Sequence, residues 1–214
     1  MDLFSILATT FSLAGVTLAV GDLLGFLTGL ACVALTVRAH IGNFAAGILN
    51  SAILGLVFFD QRLFADASLQ IVFIALSVQG WVQWRARSSQ QAAPTFRATS
   101  TKEQLTLAAI AAAIGLGLWQ MLVHLRGTAP PIDALITALS LCAQWQLNRR
   151  QISSWSWWIA VDLISIPLYW SRGLYLIAIL YGVFLAMCVQ GWRHWRRLLA
   201  ASAPAVVLPR ESLT

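Results

Sequence analysis

The sequence predicts an all-α polytopic membrane protein, with seven transmembrane helices arranged as two parallel three-helix bundles joined by a linker helix (3+1+3). Three observations carry this expectation. The first is composition: of 214 residues, 59% are hydrophobic and 10% charged, with a mean hydropathy of +0.75. A soluble domain carries roughly 25% charged residues, so there is too little polar surface here to cover a water-soluble globule, and the chain must face lipid. The second is an internal repeat. Val78-Gln79-Gly80-Trp81-Val82-Gln83-Trp84-Arg85 returns 111 residues later as Val189-Gln190-Gly191-Trp192-Arg193-His194-Trp195-Arg196. The same offset sets Asp22 on Asp133, Arg38 on Arg149, Phe58 on Tyr169, Leu63 on Leu174, Phe64 on Tyr175 and Phe73 on Phe184. An offset held over about 65 residues means two copies of one folding unit. The third is the sorting of the basic residues, taken up after the elements.

Residues 1–21 form an N-terminal apolar segment. Ser5, Thr9 and Ser12 fall at i, i+4 and i+7, one polar stripe on a helix, which predicts a helix over 3–20 lying in the membrane interface. A short extra span is the alternative. No basic residue precedes the apolar run, which disfavours a cleaved signal peptide.

A helix needs about 20 apolar residues to cross the hydrocarbon. The first bundle, residues 22–87, holds apolar runs over 22–38, 42–59 and 64–85. Residues 88–132 comprise a polar, basic loop containing Pro94 and a linker helix over 105–125, whose Ala/Gly-rich run 108–117 permits close packing. Pro130-Pro131 punctuates the turn after it. The second bundle, residues 133–198, holds runs over 133–149, 155–171 and 173–195. The tail, 199–214, carries Pro204 and Pro209 and reads as loose.

With the loop before the linker helix in the cytoplasm, the inside receives Arg38, Arg85, Arg87, Arg97, Lys102, Arg149, Arg150, Arg193, Arg196, Arg197 and Arg210, and the outside only Arg62, Arg126 and Arg172. Eleven against three satisfies the positive-inside rule and places the C-terminus in the cytoplasm. Three helices reverse the chain direction, so a second unit joined directly would be inverted. The linker helix restores the direction, and the repeats run parallel about an axis along the membrane normal.

Several function classes lose support. A sequence pI near 10.0 would suit nucleic acid, but the basic residues lie between apolar runs and form no patch. Cys32, Cys142 and Cys188 lie far apart in apolar runs and read as small buried hydrophobes, with neither metal spacing nor a disulfide framework. His40, His124 and His194 sit near span ends, so no metal cluster is evident. The chain has no Gly-rich phosphate loop and no nucleophile–base–orienter set, which weighs against an enzyme and against an ATP-driven pump. No cofactor is expected.

Polar groups kept inside hydrocarbon cost several kcal/mol unless satisfied, so they point to function. Asp162, near the middle of the sixth span, is the sharpest, and reads as a ligand or counter-ion site facing a cavity. The alternative is a structural hydrogen bond to a neighbouring helix. Asn50 occupies almost the corresponding place in the first bundle, one position off the strict offset. Gln70 and Tyr181 are repeat equivalents and head two stripes, Gln70-Phe73-Ser77-Trp81-Trp84 and Tyr181-Phe184-Cys188-Trp192-Trp195. Each supplies a buried polar group that needs a partner. Trp158 lies one turn from Asp162 on the same face and is placed to stack on a planar ring, as are Gln144 and Trp145 to line the site. Trp81, Trp84, Trp192 and Trp195 lie at helix ends and read as an aromatic belt. The second repeat holds seven tryptophans against two in the first, which suggests an asymmetric ligand with one flat ring. Pro167 is placed to kink its helix.

The combination Leu63-Phe64-Ala65-Asp66-Ala67-Ser68-Leu69-Gln70, then Gly80-Trp81 with Trp84, resembles the first-repeat signature of the PnuC family. Trp158-Ile159-Ala160-Val161-Asp162, Pro167-Leu168-Tyr169, Gly173-Leu174-Tyr175 and Leu180-Tyr181 resemble its second-repeat signature. The resemblance covers roughly residues 22–197. It implies a fold like the SWEET sugar transporters, often assembled as a homotrimer, and uptake of a vitamin-type nucleoside, above all nicotinamide riboside, through the bacterial inner membrane. It also implies facilitated diffusion, with a cytoplasmic kinase trapping the product, and a pocket lined by Gln70, Trp158, Asp162 and Tyr181. Relatives carry thiamin or riboflavin instead. Phe44-Ala45-Ala46-Gly47 stands where many relatives have a Trp-Pro pair. Nicotinamide riboside carries a pyridinium ring, and a mid-span carboxylate beside indoles suits a flat cation. Thiamin is also a flat cation and stays open as cargo. A cargo-free membrane scaffold, its buried polar groups serving as helix glue, is the reading from another class.

Overall fold

In a computed structural model, residues 3–13, 16–88, 96–124 and 130–201 are described. The elements run α1 (Leu3–Ala8), β1 (Thr10–Leu13), β2 (Val16–Ala19), α2 (Val20–Val37), α3 (Gly42–Asp60), α4 (Phe64–Ser88), α5 (Thr101–His124), α6 (Pro130–Asn148), α7 (Ser154–Ser171) and α8 (Tyr175–Ala201). Among the described residues four helices, α2, α3, α5 and α8, are long and apolar enough to cross a membrane. α4, α6 and α7 carry more polar residues, several turned inward: Ser77, Ser140, Gln146, Ser154, Asp162 and Ser165 are all buried.

The N-terminal expectation needs correction. The segment 3–20 is not one helix: α1 ends at Ala8, and β1 and β2 form an antiparallel hairpin with Thr10 opposite Ala19 and Leu13 opposite Val16. Thr9-Thr10 and Val16-Thr17 are β-branched and favour the extended chain over the helix. The Ser5–Thr9 spacing holds only for one turn, where the Thr9 hydroxyl donates to Ser5 O at 2.8 Å. Pro130 and Pro131 do not precede their helix but open it, since the first helical turn needs no N–H partner there. The tail beyond Ala201 and the surroundings of Pro94 and Arg126 lie outside the described residues.

The repeat is visible in the backbone. Helix α2 ends where Ala39 takes φ 53°, and α6 ends where Arg150, 111 positions later, takes φ 55°. His40 N donates to Leu35 O at 2.9 Å, and Gln151 N to Gln146 O at 3.1 Å. The next turn repeats too: Arg62 (φ 59°) corresponds to Gly173 (φ 74°), with Leu63 N on Phe58 O at 2.8 Å and Leu174 N on Tyr169 O at 2.9 Å. A left-handed residue with this back-bond is the usual way a helix satisfies its last carbonyls. The same device at equivalent positions gives both halves matching turns and helix lengths that agree within two residues.

Within the first half, α3 packs between α2 and α4; within the second, α7 packs between α6 and α8. α5 leans on α6, and the halves meet along α2–α8 and α4–α6. The best-buried apolar cluster sits at the end of the bundle where α4 and α8 finish, and contains Phe44, Trp84, Phe96, Trp155 and Trp195. Trp84 and Trp195 are 0% exposed, which overturns the aromatic-belt reading for these two: they fill the interior rather than the interface. Trp81 and Trp192 are partly buried against the same cluster. The Arg150 guanidinium lies 4.5 Å from the Trp84 ring centroid. Burial, with Arg87 nearby, pulls the Arg150 pKa below its ordinary value.

Candidate substrate site

Helix α7 presents Trp158, Asp162, Ser165 and Tyr169 at helical spacing, and α8 presents Tyr181, Phe184 and Cys188 toward it. Asp162 is 3% exposed. The Cys188 thiol lies against its carboxylate, and Oδ2 makes no hydrogen bond. Ser165 is fully buried beside the Tyr181 hydroxyl, its Oγ without a hydrogen bond of ordinary geometry. Tyr181 stacks on Tyr169, centroids 5.2 Å apart and planes 23° apart, and meets Phe184 edge-on at 6.0 Å. Carboxylate, hydroxyl, thiol and three aromatic rings thus share one seam, and two of the oxygens have hydrogen-bonding capacity unused.

The first half reaches this seam through Gly29. A Cβ on Gly29 would lie 3.5 Å from both Asn50 Nδ2 and Phe184 Cζ. Asn50 itself is committed within its own bundle: Nδ2 donates to Gly25 O at 2.6 Å and to Thr28 Oγ1 at 3.0 Å. The strict equivalent of Asp162 is Ser51, also buried. Gln70 packs on α3, where a Cβ on Gly55 would come within 3.4 Å of its Cβ.

The other two candidates have different neighbours. Gln144 Nε2 donates to Asn148 Oδ1 at 3.1 Å, and Asn148 Nδ2 donates across the seam to Leu76 O at 2.8 Å. Trp145 carries the Arg149 guanidinium 3.8 Å from its ring centroid. Trp158 packs against the tryptophan cluster, one turn from Asp162. So Trp158, Asp162 and Tyr181 share one seam, Asn50 lies near its edge with Gly29 between, Gln70 lies in the α3–α4 contact, and Gln144 and Trp145 serve the end of α6.

Ser165 was not singled out from the sequence, and Tyr169 and Cys188 were named there without being proposed as site residues. The first two stand at i+3 and i+7 from Asp162, so extending its face by helical period would have found them. Cys188 is buried as expected, but its neighbour is a carboxylate rather than apolar carbon. At the far end of the seam Arg172 Nη2 lies 3.6 Å from Asp133 Oδ2, within electrostatic reach of Asp66 and Tyr169.

A repeated helical bundle with apolar spans and polar groups enclosed beside aromatic rings marks a polytopic membrane protein with an internal polar seam. The nicotinamide mononucleotide transporter family model matches residues 19–197, and the chain belongs to that family. The nicotinamide riboside transporter PnuC of Escherichia coli is 26% identical over 200 residues, covering 81% of this chain and 84% of that protein. The riboflavin/roseoflavin transporter RibM of Streptomyces davaonensis is 25% identical over 179 residues, covering 81% and 83%. The crystal structure of the vitamin B3 transporter PnuC superposes with a TM-score of 0.68 at 21% identity, covering 83% of this chain and 81% of that one, a likeness of fold.

Proposed function

We propose that this chain carries nicotinamide riboside across the bacterial inner membrane by facilitated diffusion. Seven helices, α2 to α8, span the bilayer as 3+1+3, with α5 as the linker and the C-terminus in the cytoplasm. Asp162 faces the pyridinium charge or a ribose hydroxyl, Trp158 and Tyr181 hold the ring, and Ser165 with Gln70 and Asn50 offers polar edges. Because Asp162 is 3% exposed, cargo reaches it only when the helices around it part, which favours alternating access by rocking of one bundle against the other. Phosphorylation of the released nucleoside by a cytoplasmic kinase would keep the flow inward.

One observation carries the reading: a buried carboxylate with one oxygen unpartnered, beside aromatic faces. Leaving such a charge without a counter-charge is costly, and a flat cation supplies one through charge pairing and cation–π contact. The relatives named for nicotinamide riboside agree with this, whereas the riboflavin/roseoflavin relative suggests a neutral flavin as the second reading. Thermal unfolding of the purified protein distinguishes them. Nicotinamide riboside at about 100 times its Kd should add about 2.7 kcal/mol of stability, and riboflavin none. Stabilisation by riboflavin alone would reverse the assignment.

A further inference from the structure

Trp84 and Trp195 are repeat equivalents, and each reaches into the other half of the molecule. Trp84 Nε1 donates to Asn148 O, at the end of α6, at 3.0 Å, and Trp195 Nε1 donates to Thr36 O, near the end of α2, at 3.2 Å. Their rings lie 6.2 Å apart. Each stands edge-on to a second equivalent pair: Trp84 to Phe44 at 5.0 Å, Trp195 to Trp155 at 5.3 Å. Backbone approach is duplicated as well, because a Cβ on Gly80 would overlap Phe44 and Asn148, and one on Gly191 would overlap Trp155. The repeated Gly-x-x-x-Trp stretch therefore builds one plug with approximate two-fold symmetry, split evenly between the bundles.

Among the described residues, one element adds to the plug on the Trp195 side. Phe96, from the connection between α4 and α5, packs on Trp195 at 4.8 Å and is 6% exposed. It is held to the second bundle: Arg97 N donates to Arg150 O and Ile152 N to Arg97 O, each at 3.2 Å, and the Thr99 and Ser153 hydroxyls share a hydrogen bond. Trp84, for its part, is covered by the Arg150 guanidinium.

We propose that this plug is the cytoplasmic gate of the transport path and that the strap 96–100 is its bolt. The inference rests on the alternating-access reading above. When the bundles part, Phe44 with Trp84 leaves on one side and Trp155 with Trp195 on the other, breaking both indole hydrogen bonds. The strap stays with the second bundle, and Phe96 sets how firmly Trp195 is held in the closed position. Seams at the opposite end are weaker: an ion pair about one-third exposed and a tyrosine stack. The gate that limits release is thus the tryptophan one.

The test uses cysteine reporters in the full chain, in membrane vesicles exposing the C-terminal side, with the wild-type chain's own three cysteines as baseline. Ser154→Cys, fully buried beside the plug, reports the gate; Ala178→Cys, 3% exposed in the other half of α8, reports general loosening. Phe96→Ala, and separately Trp195→Phe, which keeps an aromatic ring but no donor, should speed maleimide labelling of Ser154→Cys about tenfold and leave Ala178→Cys unchanged. Equal rates at Ser154→Cys with and without these substitutions, or a parallel rise at both reporters, would overturn the proposal. Nicotinamide riboside binding by the wild type is measured alongside. If that fails while the labelling pattern holds, the cargo assignment falls and the gate stands.

Discussion

The indole N–H of Trp84 and that of Trp195, 111 residues apart, each donate to a backbone carbonyl of the opposite bundle, at 3.0 and 3.2 Å. The exchange follows from duplication: two copies of one surface facing each other across a near two-fold axis make every contact twice. It also explains why the chain keeps glycine one turn before each tryptophan, since the ring of the equivalent aromatic (Phe44 or Trp155) occupies the space a Cβ would fill.

Gly80→Ala and Gly191→Ala should each destabilise the protein by about 1–3 kcal/mol, the usual penalty for overpacking an interior. Gly182→Ala, with open space around the added methyl, should be neutral or mildly stabilising. Unfolding midpoints in detergent check this; equal losses at all three positions would contradict the packing account.

Trp84→Phe and Trp195→Phe remove the donor and keep most of the ring. Each should cost about 1 kcal/mol for the lost hydrogen bond. The double variant should depart from additivity, because the two rings are in one cluster. A double-mutant cycle on chemical unfolding provides the number, and strict additivity would argue that the rings act separately.

Much of this architecture was legible in the sequence, because a fixed offset fixes equivalent helices, turns and glycines together. The function of the tryptophans was not. A tryptophan near a helix end has the same position in sequence whether it lies in the interface or fills the interior, and only packing decides, as Trp84 and Trp195 show against the less buried Trp81 and Trp192. The hairpin at 10–19 was hidden by polar residues at helical spacing. Gln144 drew attention as a site-lining side chain, yet a partner four residues on, Asn148, accounts for one of its donors.

Asp162→Leu should raise thermal stability, because a carboxylate in the membrane interior costs roughly 2.5–3.5 kcal/mol on insertion scales. The same substitution should abolish uptake. A variant both less stable and still active would mean that Asp162 holds helices together and does not meet cargo.

Arg172→Gln and Asp133→Asn should each change stability by less than about 1 kcal/mol, since the pair is 3.6 Å apart and about one-third exposed (side chains 29% and 36%). Calorimetry of the two single variants and the double tests this; a loss several times larger would mark the pair as a structural clasp rather than a light closure.

The most direct test of the proposed cation site is uptake of labelled nicotinamide riboside into proteoliposomes without ATP, by the wild type and by Asp162→Asn, with unlabelled riboflavin and thiamin as competitors. The account predicts saturable uptake by the wild type, competition only from a flat cation, and a loss of about tenfold or more in Asp162→Asn. Equal uptake by both proteins, or competition by riboflavin alone, would contradict it.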